Sequence, residues 1–432
     1  MKDINIRDIA LRLADLSYIE TESKKNEIEY QNAGPIVQTL SPLTLSHGYP
    51  ALCILFTNLG ITDKNNNWIE YSHKYIQQMV TLIREEGIYG SSLFSGTAGI
   101  ALAVRIASME GAYYSKLQNS LDTFLYQQLD EVLSNLKSKT NYHMFDYDAI
   151  EGLAGIANYL FMINNNAMSE EYLKRILTYF VSLSGYKEFL GRNIPKWHIH
   201  NEFLFSDNEK NSYRNGILNV GLSHGISGPL IILSKAYKRR IIVDGHRDAI
   251  KRITEDIIKL KNHNDNNWTG MIDAEYYINS NDILDLPTRS AWCYGTPGTA
   301  FALLTAAEAL NDNELAEIAK KAMKDLIGNE QQVFSPSFCH GYAGIAYLYK
   351  RFFEKTNTKE FYEESIRLKE KTKEFFNEKN PFGFYDIEAK DNSLLKLNSI
   401  GLLQGVSGIL LTLLAFEEES SSIWNTAFLL DD

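Results

Sequence analysis

Two kinds of apolar pattern alternate along the 432-residue chain. The first is amphipathic. Leu117, Leu121, Phe124, Leu125, Leu129, Val132, Leu133 and Leu136 lie on one stripe at helical spacing, which predicts a surface helix over residues 117–138. The same period predicts helices over residues 4–20, 66–86, 169–184, 246–261, 313–327 and 359–377. The second kind is shorter and apolar all round, as in the run from Ala51 to Leu59, and such a helix has no face to give to water. Each run of this kind follows a glycine step. The first glycines are Gly48, Gly96, Gly152, Gly225, Gly295, Gly341 and Gly405, and from the second repeat on a further glycine stands three residues later. The intervals vary, from 46 residues between Gly295 and Gly341 to 73 between Gly152 and Gly225. A constant core at irregular spacing is what loop insertions do to a repeat.

Seven amphipathic and seven apolar helices predict an all-α fold, a two-layer α/α toroid of seven helix-pair repeats. An open solenoid would need polar terminal caps, and neither terminal repeat has one. Residues 1–185 and 220–432 would form the toroid. The widest interval contains residues 186–219, where Trp197, Ile199, Phe203 and Phe205 alternate in part, so a small strand-containing insertion is expected there. Residues 262–290 read as a long loop, and the asparagine clusters at 65–67, 164–166 and around Asn264 as shorter ones.

Composition narrows the function classes. Apolar residues make up 44% and charged residues 22%, as in a soluble globular protein. A formal charge of −11 argues against a nucleic-acid partner and an acidic membrane surface. No apolar run reaches the ~18 residues of a spanning helix, and Asp3, Arg7, Asp8 and Asp15 interrupt the N-terminus where a signal peptide would be apolar. Three cysteines are too few for a disulfide framework and fit a reducing cytoplasm.

Two of those cysteines occupy one slot of the repeat. The two positions before each first glycine read Ser46-His47, Phe94-Ser95, Ile150-Glu151, Ser223-His224, Cys293-Tyr294, Cys339-His340 and Leu403-Gln404. If the repeats are equivalent, two thiols and up to three imidazoles converge at one end of the fold. Two Cys and one His form a catalytic zinc set that leaves a fourth position open. The competing reading is two buried structural cysteines. Cys53, inside an apolar run, reads as plain core, and His47, with no charged or thiol neighbour in its repeat, as a satisfied structural histidine. His73, His246 and His263 lie on amphipathic or loop segments and are expected in solvent.

Ser223-His224-Gly225, Trp292-Cys293-Tyr294-Gly295 and Cys339-His340-Gly341, in that order, resemble the lanthipeptide synthetase C-like cyclases. The run Asp146 to Gly155 and the tail from Trp424 to Asp432 are most similar to the stand-alone class I type. The resemblance covers nearly the whole chain. It implies an α/α toroid with zinc at one end, held by Cys293, Cys339 and His340, and a small Src-homology-like insertion where residues 186–219 fall. It implies His224 as the acid–base residue, with Asp148 and Arg289 beside the metal; Asp146 is a second carboxylate close by. The implied activity is intramolecular Michael addition of cysteine thiols to dehydroalanine or dehydrobutyrine in a precursor peptide, giving (methyl)lanthionine thioether rings. The implied partners are that dehydrated precursor (leader plus core), a lanthipeptide dehydratase and a membrane exporter complex, which would hold a cytoplasmic protein at the inner membrane face. Two other classes fit the residues alone: another toroidal zinc enzyme that alkylates a thiol, and a non-catalytic peptide-binding toroid with structural zinc, for which His47 would be a fourth ligand.

Overall fold

The computed structural model describes residues 4–29, 39–63, 67–163, 166–262, 265–279, 286–390, 393–417 and 423–432. The apolar runs form the helices Tyr49–Thr62, Thr97–Ala107, Leu153–Leu160, Ser227–Lys238, Thr296–Leu310, Tyr342–Thr356 and Val406–Leu414. Every residue of Leu153–Leu160 and of Val406–Leu414 is buried, as their lack of a polar face requires. The amphipathic segments form Trp68–Glu86, Ser115–Lys137, Ala167–Leu183, His246–Lys259, Asn313–Asp325 and Lys359–Lys373. These bury one stripe only; Asn313–Asp325 buries Leu315, Ala319, Ala322 and Met323.

The expected single helix over residues 4–20 is two helices, Ile6–Arg12 and Leu16–Glu29. Asp15 causes the break. Its Oδ1 accepts from the N–H groups of Ser17 and Tyr18, at 3.0 and 3.2 Å, and so caps a new helix.

The chain forms two compact units. One comprises Met1–Leu125, Val333–Asn425 and Asp431; the other comprises Tyr126–Gln332, Thr426–Leu430 and Asp432. In the first, Tyr342–Thr356 packs on Val406–Leu414, that helix on Tyr49–Thr62, and that one on Thr97–Ala107. In the second, Ser227–Lys238 packs between Leu153–Leu160 and Thr296–Leu310. Amphipathic helices cover the apolar ones, as Trp68–Glu86 covers Tyr49–Thr62 and Asn313–Asp325 covers Thr296–Leu310.

The loops before the apolar helices are pinned to one another by backbone hydrogen bonds. In the first unit Cys339 N–H donates to Leu403 O at 2.8 Å, Leu402 N–H to Leu45 O at 3.1 Å and Ser46 N–H to Phe94 O at 3.1 Å. In the second, Ala149 N–H donates to Ser223 O at 2.9 Å and Ser223 N–H to Cys293 O at 3.2 Å. Within each unit the slots are therefore in register. The second glycine of the step lets each loop fold back on its own helix: a Cβ on Gly344 would sit 1.9 Å from the Phe338 carbonyl oxygen.

Residues 186–195 form a hairpin, Tyr186–Phe189 against Arg192–Pro195. Its turn residues Leu190 and Gly191 both have positive φ, 51° and 73°, the handedness that matches strand twist. Ile217–Asn219 pairs with Met271–Asp273. Residues 262–290 are thus not one long loop. Met271-Ile272-Asp273 supplies the edge that Ile217–Asn219 needs, and Asp273 caps the helix Ala274–Ile278 by accepting from Glu275 N–H at 2.9 Å. Trp268 is buried, with its indole N–H 2.8 Å from Ile257 O.

Cys53 is core: its thiol is fully buried, 3.3 Å from Ser72 Oγ, and burial pushes it up to about 12. His246 is a correction. It is buried, with Nε2 2.8 Å from the Leu233 carbonyl and its ring edge-on to Tyr237, because it opens its helix on the inward face. His73 is exposed and stacks on Tyr114. Asn67 and Asn166 stand at the N-caps of outer helices, whereas His263 and Asn264 lie outside the described residues, as do Asn65, Asn66, Asn164 and Asn165. Among the described residues no helix is long and apolar enough to cross a membrane.

Candidate functional site

In the second unit the chain turns through Met144–Asp146 before the loop that leads into Leu153–Leu160. Asp148 lies in that loop, wholly buried. Its Oδ1 accepts from three backbone N–H groups, Ile150 at 3.1 Å and Glu151 and Gly152 at 2.7 Å each. Its Oδ2 is 2.6 Å from His224 Nδ1. The loop amides fix the carboxylate, and the carboxylate fixes the imidazole: Nδ1 must carry a proton toward Asp148, so Nε2 is the nitrogen left for exchange. Asp146 does different work. It closes a capping box with His143 and pairs with Lys139 at 2.6 Å.

Burial is the largest influence on His224 and disfavours its cation, but the hydrogen bond and charge of Asp148, with Cys293 and Glu151, together hold the imidazole above its ordinary value. The ring is not sealed; 22% of its side chain is accessible. Phe145, Tyr294 and Phe205 surround it at centroid distances of 5.9, 6.2 and 6.3 Å.

Cys293 sits on a closed loop of the same unit. Ser290 bridges to Gly295, which has φ +97°, and a Cβ at Gly295 would lie 1.5 Å from Arg289 O, so only glycine closes this loop. The Cys293 carbonyl also accepts the Ser223 hydroxyl at 3.2 Å, which ties the loop to the slot of His224. Arg289 stands half-buried at the base of the loop.

In the first unit Cys339 and His340 precede the N-cap Gly341, both buried. A second hairpin, Asp386–Lys390 against Ser393–Leu397, comes to the imidazole. His340 Nε2 lies 3.3 Å from Ile387 O, 3.4 Å from Asp386 Oδ1 and 3.4 Å from Glu388 Oε1. Gln404 Nε2 donates to Glu388 at 2.6 Å, and His47 Nε2 is 3.1 Å from Gln404 Oε1. His47 is thus a satisfied histidine, as its neighbours in sequence suggest.

The structure brings Asp148, His224 and Cys293 together in one unit, with Arg289 at the loop base, and places Cys339 and His340 in the other. All three cysteines are free thiols. By their chemistry, two thiols and an imidazole are a donor set that zinc takes. Sequence reading missed Asp386, Glu388, Phe145 and the neighbourhood of Tyr294. The only signal for the two acids was the alternation Asp386-Ile387-Glu388, which carries no motif.

The family model described as lanthionine synthetase C-like protein matches residues 39–429. The nisin biosynthesis protein NisC of Lactococcus lactis subsp. lactis is 28% identical over 397 residues, which is 90% of this chain and 89% of that protein. A solved structure of nisin cyclase superposes with a TM-score of 0.78 at 26% identity, covering 95% of this chain and 97% of that one. That likeness makes the fold class the α/α toroid expected from the repeat. By the match over residues 39–429, the chain belongs to the lanthionine synthetase C-like family.

Proposed function

We propose that this protein is a zinc-dependent lanthipeptide cyclase, adding cysteine thiols of a dehydrated precursor peptide to dehydroalanine or dehydrobutyrine to form (methyl)lanthionine rings. The observation that carries the reading is the buried Asp148–His224 pair, 2.6 Å apart, in register with the Cys293 loop. Family membership and the likeness to nisin cyclase support it. Cys293, Cys339 and His340 would hold the zinc, which when bound lowers the pKa of a substrate thiol far below the ~8.5 of a free cysteine.

The chain's own residues supply the rest. Addition of sulfur to the β-carbon leaves negative charge on the carbonyl oxygen of the dehydro residue, as an enolate. His224, cationic and fixed through Nδ1, donates from Nε2 to the α-carbon, and the proton given up by the substrate thiol restores the imidazolium, so one C–S and one C–H bond form in place of the S–H bond and the C=C π bond. Asp148 keeps that imidazole in one tautomer and stabilises its charge. Arg289 is the cation that offsets the enolate. The reaction is redox-neutral. Residues 186–219 form the Src-homology-like insertion in this reading and bind the leader away from the zinc ligands, and a dehydratase and an exporter handle the same precursor before and after.

The test is the mass and free-thiol count of a dehydrated precursor after incubation with the protein. The expected result is unchanged mass with thiols lost one per ring, and His224→Asn should slow that loss ~10²–10⁴-fold while the peptide still binds. Thiols that persist with the wild-type protein would refute the activity.

A further inference from the structure

The hairpin Asp386–Lys390/Ser393–Leu397 has no role in the chemistry above, yet it aims two carboxylates at a metal-ligand candidate. His340 Nε2 faces three acceptors at once: the Ile387 carbonyl at 3.3 Å and the Asp386 and Glu388 carboxylate oxygens at 3.4 Å each. A bare lone pair on Nε2 would face the oxygen lone pairs of all three, in a pocket where His340 is 4% and Asp386 2% exposed to water. Nε2 therefore carries the hydrogen, and the neutral ring's lone pair is on Nδ1. The acceptors are themselves held. Ser335 Oγ donates to Asp386 Oδ1 at 3.1 Å, and Gln404 Nε2 donates to Glu388 Oε1 at 2.6 Å. Gln404 is in turn held by His47.

We propose that Asp386 and Glu388 are positioning residues for the metal centre: through His340 Nε2–H they fix the tautomer and ring orientation that present Nδ1 to zinc. The inference rests on the reading that His340 is a zinc ligand. It gives a role to the slot residues of two further repeats, Gln404 and His47, that the reaction itself does not use. Carboxylates so placed raise the basicity of a ligating imidazole, and their loss typically costs ~10–100-fold in metal affinity. One ligand atom from each of His340, Asp386 and Glu388 lies within 4.8 Å of the others, and the three would suit a cation directly, which is the competing arrangement.

Zinc affinity is measured by chelator competition on the full-length protein, and the spectrum of its cobalt(II) form is recorded, for wild type, Asp386→Asn, Glu388→Gln and Cys339→Ala. Zinc binding by the wild type tests the ligand reading by itself. Given that binding, the expected result is ~10–100-fold weaker zinc in Asp386→Asn and a smaller loss in Glu388→Gln. Both should keep thiolate-to-cobalt charge-transfer bands, with shifted ligand-field bands. Glu388 is the more exposed acid, 31% accessible, so Glu388→Gln keeps the test open should Asp386→Asn misfold. Zinc affinity and ligand-field bands unchanged in both acid variants would overturn the proposal. So would a wild-type cobalt spectrum without thiolate bands together with abolished binding in Asp386→Asn, since the acids would then be ligands themselves.

Discussion

Asp148→Asn should separate the two jobs of one carboxylate. Oδ1 is an acceptor for three backbone amides, two of them buried, and an asparagine oxygen can take that place. The loop should then hold, whereas Asp148→Ala would leave three donors without an acceptor at ~1–3 kcal/mol each. Oδ2 is different, because the amide –NH₂ that replaces it donates where His224 Nδ1 needs an acceptor. A hydrogen bond to a charged group is worth ~1.5–3 kcal/mol, or about one to two powers of ten in the imidazole's proton affinity. Burial then acts against the cation with less to oppose it, so His224 should fall from above its ordinary value toward or below it. The proposed reaction needs imidazolium, so its rate falls as pH rises through the His224 pKa. In Asp148→Asn that descending limb should move to lower pH. Stability follows the same sign: a folded-state pKa above the unfolded one stabilises below the unfolded pKa of ~6.5, and that gain is lost as pH rises through the folded value. The variant should lose most stability on the acid side. The assay is His224 titration by NMR together with a pH–rate profile for ring formation. An unmoved His224 titration in a folded Asp148→Asn protein would refute the pairing.

Two further outcomes follow from the same geometry. Cys293→Ala and Cys339→Ala should each lose bound zinc by metal analysis while keeping helical circular dichroism, since the helix core does not pass through either thiol. Gly344→Ala places a methyl 1.9 Å from the Phe338 carbonyl, backbone against backbone, and should destabilise the protein by ~1–3 kcal/mol in urea unfolding; a smaller change would mean the Cys339 loop is looser than described.

The helices were legible because burial dictates composition. An all-apolar run such as Val406–Leu414 has one physical outcome, and the glycine before it marks where the chain turns in. What period cannot carry is local competition. Asp15 splits a helix whose apolar stripe runs on regardless, since one side chain reaching two amides outweighs a pattern that averages over turns. His246 has the polarity of a surface residue and the position of a buried one; its partner, the Leu233 carbonyl, belongs to another helix and leaves no trace near it in sequence. Met271–Asp273 is too short to alternate and becomes a strand only because Ile217–Asn219 needs an edge.

The site divides along the same line. His224 and the two cysteines could be picked out because a repeat puts equivalent positions in equivalent places, and the backbone bonds between neighbouring slots are what make them equivalent. Nothing in that register distinguishes Asp146 from Asp148. The distinction is made by the chain's path: the turn Met144–Asp146 spends Asp146 on its own cap and on Lys139, and two residues later the buried loop offers three amides and an imidazole to one carboxylate. Asp386 and Glu388 stand further from any pattern, since they lie outside the slots on a hairpin between the sixth and seventh repeats. A repeat can announce the residues it presents in every unit. The groups that orient them arrive once each, on insertions, and only contact geometry reveals them. In this chain the acids that face His340 are of that kind, whereas Asp148 stands in the third repeat's own loop, where the family resemblance already points to it.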